Sequence, residues 1–241
     1  MSGGGTRSGR RNNVGSKANT APASGEYKEF NNVPLSGYSY LGDGSETVKW
    51  FEENSNFKEI LEKTTVPEKT ALKLFSSGQF MNGQQYEGFS KMIRLDRDCT
   101  LTYDKLLDQS VMNANVKVVR LATPELLLGK GKIKAALTDL QAMKGKVITS
   151  KANLSCAAAK EGLTIGDRTK QVEYKIYIPK GSKGAGMYTG VDDIHNWGVK
   201  QREFMLNRDT RWRVGDTKWN NKRKIFETDL FFEDLLPHDY S

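Results

Sequence analysis

The stretch VEYKIYIPKGSKGAGMYTGVDDIHNWGVKQREFMLNRDTRWRV, running from Val172 to Val214, is where the reading of the fold turns. Val172, Tyr174, Ile176 and Ile178 alternate with polar residues, the period-two pattern of a half-buried strand, and Pro179-Lys180-Gly181 ends it. A second strand is expected from Gln201. Because successive strand side chains alternate, Gln201, Glu203 and Met205 would share one face, and Arg202, Phe204 and Leu206 the other. Gln201 and Glu203 then project side by side, just after the loop Thr189 to Lys200, which carries Asp192, Asp193 and Trp197. An amide and a carboxylate so placed can meet a ligand. The same pair on a strand edge is otherwise an ordinary solvated face.

Upstream, the apolar period changes from strand-like to helical. Ser45 or Thr47 caps a helix with Val48, Trp50 and Phe51, and Phe57, Ile60 and Leu61 follow at helical spacing. Thr65-Val66-Pro67-Glu68 opens another, with Ala71, Leu72, Leu74 and Phe75 inside and Gly78 as its breaker. Tyr86, Phe89, Met92 and Ile93 mark a helix that brings Arg94 to its end; Thr102 to Gln109 is a further one, with Leu101, Leu106 and Leu107 buried. VKVVRLA, from Val116, is a strand, Pro124 to Gly145 is helix-rich, and short strands follow at Val147-Ile148 and Asn153 to Cys156. Helices first and strands after predict an α+β domain with a mainly antiparallel sheet. Met1 to about Tyr27 is rich in Gly, Ser, Asn and basic residues, with too little apolar surface to offset the entropy of ordering. The expected division is therefore a disordered basic tail over 1–44 and one folded domain over 45–241. The tail is either an arm on nucleic acid or a partner, or plain solvated chain.

Composition limits the function classes. With two cysteines, Cys99 and Cys156, at no metal-like spacing and two histidines, His195 and His238, no zinc or other metal site is expected. No apolar run approaches the ~20 residues of a membrane span, and the N-terminus lacks the apolar core of a secretory signal, so no membrane partner and a soluble, cytoplasmic location are expected. Gly129-Lys130-Gly131-Lys132 does not fit a Walker loop. The formal net charge of +8 and pI near 9.3 suit an anionic partner such as nucleic acid, and also serve solubility alone.

Arg120 lies within the apolar strand VKVVRLA, where a lone guanidinium needs an anion or a strand edge. It is either a structural ion-pair member or a phosphate ligand. Downstream, small residues Ser155, Cys156, Ala157 and Ala158 let another backbone or a ligand come close.

Taken together, these residues resemble the ADP-ribosyltransferase family, in its bacterial-toxin-like branch. Phe89-Ser90-Lys91-Met92-Ile93-Arg94 is similar to the family's Ile-Asn-x-x-Leu-Arg pattern, and Val118-Val119-Arg120-Leu121 to its arginine strand. Gly145 leading to Ser155-Cys156-Ala157 is similar to its serine motif; an alternative register uses Thr149-Ser150. Pro179 to Ala185 resembles its Pro-Lys-Gly-x-x-Gly-Ala turn, and Gln201-Arg202-Glu203-Phe204-Met205-Leu206 its Gln-x-Glu ending. The resemblance implies two roughly perpendicular antiparallel sheets after a helical half, with NAD, the substrate, bound in the cleft between them.

On that resemblance Arg120 and Arg94 neutralise the NAD pyrophosphate, Ser155 and Cys156 line the cofactor site, and Ser155 holds the catalytic Glu203. Glu203 binds the nicotinamide ribose and stabilises the oxocarbenium ion as nicotinamide leaves. Gln201 positions the acceptor and Trp197 is its aromatic platform. An amide at 201, with no basicity, argues against an arginine acceptor. Gln-x-Glu members of the family include Rho-modifying exoenzymes acting on asparagine and pierisin-like enzymes acting on guanine in DNA. Between Lys200 and Lys224, nine Lys or Arg stand against three acidic residues, interleaved with Trp212 and Trp219, which suits phosphate contact and base stacking. The expected acceptor is therefore a nucleic-acid base, RNA or DNA, with a protein Asn or Gln as alternative. An antitoxin or inhibitor protein is a further expected partner. A catalytically lapsed binding module and a phage head-associated protein are the other classes, separable by an NAD-hydrolysis assay.

Overall fold

The structure, a computed structural model, describes residues 25–31, 44–76, 85, 88–161, 171–191 and 202–240. The expected tail residues 1–24 and 32–43 lie outside these. Helices come first: α1 (Ser45–Asn54), α2 (Phe57–Glu62), α3 (Val66–Ser76) and α4 (Arg94–Leu107). The start of α3 is closed by Thr65, whose backbone N–H donates to Glu68 Oε2 at 2.8 Å, the return half of a capping box. Two helical expectations are corrected. Phe89–Lys91 forms a single 3-10 turn, Met92 and Ile93 are extended, and Arg94 opens α4 instead of ending a helix. Leu101 is 43% exposed, because Cys99, Thr100, Tyr103, Leu106 and Leu107 already occupy the inward face of α4.

The strands are β1 (Val116–Ala122), β2 (Val147–Thr149), β3 (Leu154–Ala157), β4 (Val172–Ile178), β5 (Gly186–Tyr188), β6 (Glu203–Leu206), β7 (Thr210–Asn220) and β8 (Ile225–Leu235). Two short helices, α5 (Glu125–Leu128) and α6 (Leu137–Gln141), lie between β1 and β2. The eight strands run in the order β2-β7-β8-β4-β1-β3-β6-β5, and every pairing is antiparallel except β4 with β8. The two expected sheets are thus two parts of one mixed sheet. They meet at β1 and β3, which share the single residue pair Val119↔Ala157, whereas β1 and β4 pair over all seven residues of β1.

On one side of that pair, residues 28–30 fill the gap. Lys28 bridges Val116, Lys117 N–H donates to Lys28 O at 3.1 Å, and Lys160 N–H donates to Phe30 O at 2.7 Å. Phe30 is 1% exposed and packs on Trp50 and Phe51. The expected tail boundary at residue 44 therefore does not hold for 25–31: one large aromatic side chain supplies the burial that a count over the whole segment averages away.

Behind β5 and β6 lies an aromatic core. Phe51 stacks on Tyr188 at 4.6 Å between centroids and meets Phe57 and Phe204 at 5.8 and 5.7 Å. This core backs Phe204, so the neighbouring residues of β6 in the alternation, Glu203 and Met205, belong to its other face. Gly186 lets β5 come this close to β6, since a Cβ there would stand 2.3 Å from Met205 O and its φ is +150°.

Candidate active site

Glu203 opens β6 and is 7% exposed. In the β3–β6 ladder Ala157 faces Glu203 and Ser155 faces Met205, so Ser155 is the diagonal neighbour of Glu203 on the same face. Ser155 Oγ donates to Glu203 Oε1 at 2.6 Å. The alternative register does not reach it: Ser150 Oγ is turned to Ala152 O at 2.7 Å, and Thr149 sits in β2, paired with β7 across the other part of the sheet.

Beyond Val119, in the direction away from residues 28–30, β1 and β3 part. Arg120 spans this fork, its Nη1 donating to Ser155 O at 2.5 Å. No ion pair among the described residues includes Arg120, so a half-buried guanidinium with further N–H donors stands beside the Ser155–Glu203 pair. Of its two readings, structural ion pair or anion ligand, this favours the second.

Thr189, which the sequence reading treated only as the start of a loop, meets Glu203 as well. It directly follows β5; its N–H donates to Glu203 O at 3.0 Å, and its Oγ1 lies 3.2 Å from both Glu203 O and Glu203 Oε2. Gln85 was also missed. Its side chain binds Asn153 twice, Nε2 to Oδ1 at 2.7 Å and Oε1 to the backbone N–H at 2.9 Å, and reaches Thr100 of α4 at 3.3 Å, anchoring the start of β3. Neither residue belongs to a local pattern; only the Ser or Thr type at the end of a strand is a hint.

The other expected site residues are Arg94, Cys156, Gln201 and Trp197. Arg94 has a side chain 90% exposed with Asp98 at 3.8 Å, and no hydrogen bond or ion pair among the described residues joins it to Arg120, Ser155 or Glu203. Cys156 turns into the apolar core, with Sγ 3.7 Å from Leu154 O, and burial pushes its thiol up to about 12, so only its backbone borders the site. Gln201 and Trp197 lie outside the described residues. Arg202 has φ +49°, in the left-handed region, so β6 begins at Glu203 and alternation cannot be counted back through Arg202 to Gln201.

The basic stretch from Lys200 to Lys224 is largely matched by acidic partners. Arg211 binds Asp234, Arg213 binds Glu233 at 2.5 Å, and Arg223 binds Glu173 at 2.6 Å. Arg208 forks onto buried Asp104 through Nε at 3.0 Å and Nη2 at 2.7 Å. Burial opposes the charge on Glu227, but hydrogen bonds from Lys175 and Asn220 and the charges of Lys175 and Lys218 hold its carboxyl at about 2. Trp212 is buried. Of the eight described Lys and Arg in this stretch, five thus have an acidic partner, three of them across the β7–β8 ladder, where β8 supplies Glu227, Glu233 and Asp234.

The family model for the ADP-ribosyltransferase exoenzyme matches residues 49–232. No curated protein sequence matches the chain at a significant level. Among solved structures, the chain is similar to C3stau2 from S. aureus with NAD, at 15% identity and TM-score 0.60, over 85% of this chain and 99% of that one. It is similar to the Clostridium limosum C3 exoenzyme at 17% identity and TM-score 0.64, over 88% and 99% of the two chains. Plx2a, an ADP-ribosyltransferase toxin from Paenibacillus larvae, gives 18% identity and TM-score 0.63 over 81% and 97%. No helix among the described residues is long and apolar enough to cross a membrane. With the family match spanning most of the chain and Arg120, Ser155 and Glu203 gathered at one fork of the sheet, the chain belongs to the ADP-ribosyltransferase exoenzyme family and is an NAD-dependent mono-ADP-ribosyltransferase.

Proposed function

We propose that Glu203 is the catalytic carboxylate, Ser155 its positioning partner and Arg120 the anion ligand for the NAD pyrophosphate. The observation that carries this reading is the 2.6 Å bond from Ser155 Oγ to Glu203 Oε1 beside a guanidinium that has no carboxylate of its own among the described residues. NAD supplies an activated glycosidic bond: the bond from ribose C1′ to the nicotinamide nitrogen breaks, the nitrogen keeps the electron pair, and neutral nicotinamide leaves. Positive charge then grows on the ribose. A carboxylate held in place before the reaction stabilises that charge without having to reorganise, a term commonly worth ~10²–10³ in rate. Arg120 suits a diphosphate because a planar guanidinium presents paired donors where an ammonium is a point charge. The acceptor attacks C1′ and loses its proton to solvent.

The acceptor we infer is an amide side chain of a protein. Gln201 in Gln-x-Glu argues against arginine, and the basic face that suited a nucleic acid has its charges matched within the fold. Its exposed remainder, Trp219, Lys222 and Lys224, sits at the β7–β8 turn. That turn lies three strands across the sheet from Arg120, which pairs with Tyr174, as Tyr174 does with Thr228 and Thr228 with Thr217. The experiment incubates labelled NAD and a cell extract with wild-type protein and with Glu203→Gln. Label should enter material that resists nuclease and is lost with protease, and Glu203→Gln should cut NAD cleavage by at least ~10²-fold. Near-wild-type cleavage by Glu203→Gln would overturn the carboxylate reading, and nuclease-sensitive label would return the acceptor to a nucleic-acid base.

A further inference from the structure

We propose that Thr189 is a second positioning residue for the reaction, holding the Glu203 oxygen that Ser155 does not hold; the inference rests on the reading of Glu203 as the catalytic carboxylate. Ser155 Oγ is 2.6 Å from Oε1, and Thr189 Oγ1 is 3.2 Å from Oε2. The Thr189 hydroxyl has one proton and two acceptors in reach, Oε2 and the backbone carbonyl of Glu203, both at 3.2 Å. The carbonyl already receives the Thr189 N–H at 3.0 Å, so the hydroxyl proton is better used on the charged oxygen, where a hydrogen bond is roughly twice as strong as between neutral groups.

Several features keep this hydroxyl in place. Thr189 is 2% exposed, so water does not compete for the proton. Its β-branched side chain has few χ1 choices. Its backbone is fixed by the β5–β6 ladder, in which Tyr188 faces Phe204 and Met187 faces Met205. Together Ser155 from β3 and Thr189 from the end of β5 grip the carboxylate from the two strands that flank β6. With both oxygens held, the plane of the carboxylate is fixed as well as its position, and the loop that begins after Thr189 is rooted on the same group.

A hydroxyl that only positions a carboxylate should act on turnover and leave NAD affinity alone. The test measures kcat and KM for NAD hydrolysis in Thr189→Val, Thr189→Ser, Thr189→Ala and Glu203→Gln, with thermal melting of each. Thr189→Val removes the donor at equal shape. It should lower kcat about tenfold, the scale of one hydrogen bond to a charged group, with KM for NAD within about twofold of wild type and a similar Tm. Thr189→Ser, which restores a donor, should recover most of that loss. A kcat for Thr189→Val within twofold of wild type would overturn the inference, as would a loss in Thr189→Ser equal to that in Thr189→Val, or an effect confined to KM. If Thr189→Val and Thr189→Ala both fail to fold while Thr189→Ser folds, the hydroxyl serves the fold and the inference is overturned. An inactive Glu203→Gln beside an unimpaired Thr189→Val removes the Thr189 assignment alone; a fully active Glu203→Gln removes both.

Discussion

Arg120 illustrates how much one side chain can draw from a local defect in a sheet. Were β1 and β3 paired along their whole length, the Ser155 carbonyl side of the ladder would be closed; the single pair Val119↔Ala157 leaves it open to a guanidinium. The side chain therefore bridges the fork and still offers donors. Replacing it with lysine keeps the charge and loses the fork geometry. Arg120→Lys should weaken NAD binding by about 10-fold or more, the scale of one or two charge-assisted hydrogen bonds, with kcat at saturating NAD falling much less. Titration of NAD against both proteins, followed by tryptophan fluorescence, checks this; unchanged affinity would mean that Arg120 serves the fold by holding Ser155 O.

Among the elements, β6 shows why a strand read from its pattern can be right in register and wrong in extent. Glu203 to Leu206 alternate as expected, yet all four are buried, because β3 and β5 flank the strand and the aromatic core packs behind it. Arg202 stops the pattern on the other side with its left-handed backbone, and its Nη1 reaches Asn31 O at 2.7 Å. The segment 25–31 thus braces the start of the catalytic strand as well as the gap beside β1. Phe30 is its apolar anchor. Phe30→Ala should cost about 3–4 kcal/mol of stability, the usual range for emptying a buried phenylalanine site. Urea unfolding checks it, and a loss below ~1 kcal/mol would show the segment to be peripheral.

At the scale of the whole molecule, the C-terminal residues 236–240 close a ring of charges between α4 and the turn that joins β6 to β7. His238 lies between two carboxylates, Nε2 to Asp108 at 2.9 Å and Nδ1 to Asp209 at 3.1 Å, with Asp104 at 3.7 Å. Arg208 and Tyr240 complete the group around Asp104. Burial alone would lower the His238 pKa, but hydrogen bonds to Asp108 and Asp209 and the charges of Asp104 and Asp108 push it from 6.5 up to about 9. A raised folded-state value means that the stabilisation is fully present below pH 6.5 and is lost as pH rises through about 9. Its pH-dependent part is on the order of 3 kcal/mol. Wild-type Tm should therefore fall between pH 6.5 and 9.5 more steeply than that of His238→Ala, and the two curves should converge at the alkaline end. Parallel curves would mean that His238 titrates as in the unfolded chain.

Short-range geometry made much of this protein legible in its sequence. The periods of 2 and ~3.6 residues follow from strand and helix geometry, and they locate α1 to α3 and the cores of β1, β4 and β6. The order of arginine, serine and Gln-x-Glu motifs led to the family. Tertiary structure alone decided which charges are matched: nothing local to Arg211 or Arg213 reveals that Asp234 and Glu233 will stand opposite them on β8. It likewise brought Ser155 to Glu203 across 48 positions of chain, kept Ser150 away from it, and turned Thr189 onto the same carboxylate. Periodicity tells which face of an element a residue occupies. What lies against that face is set by register and strand order, which depend on contacts far apart in the chain.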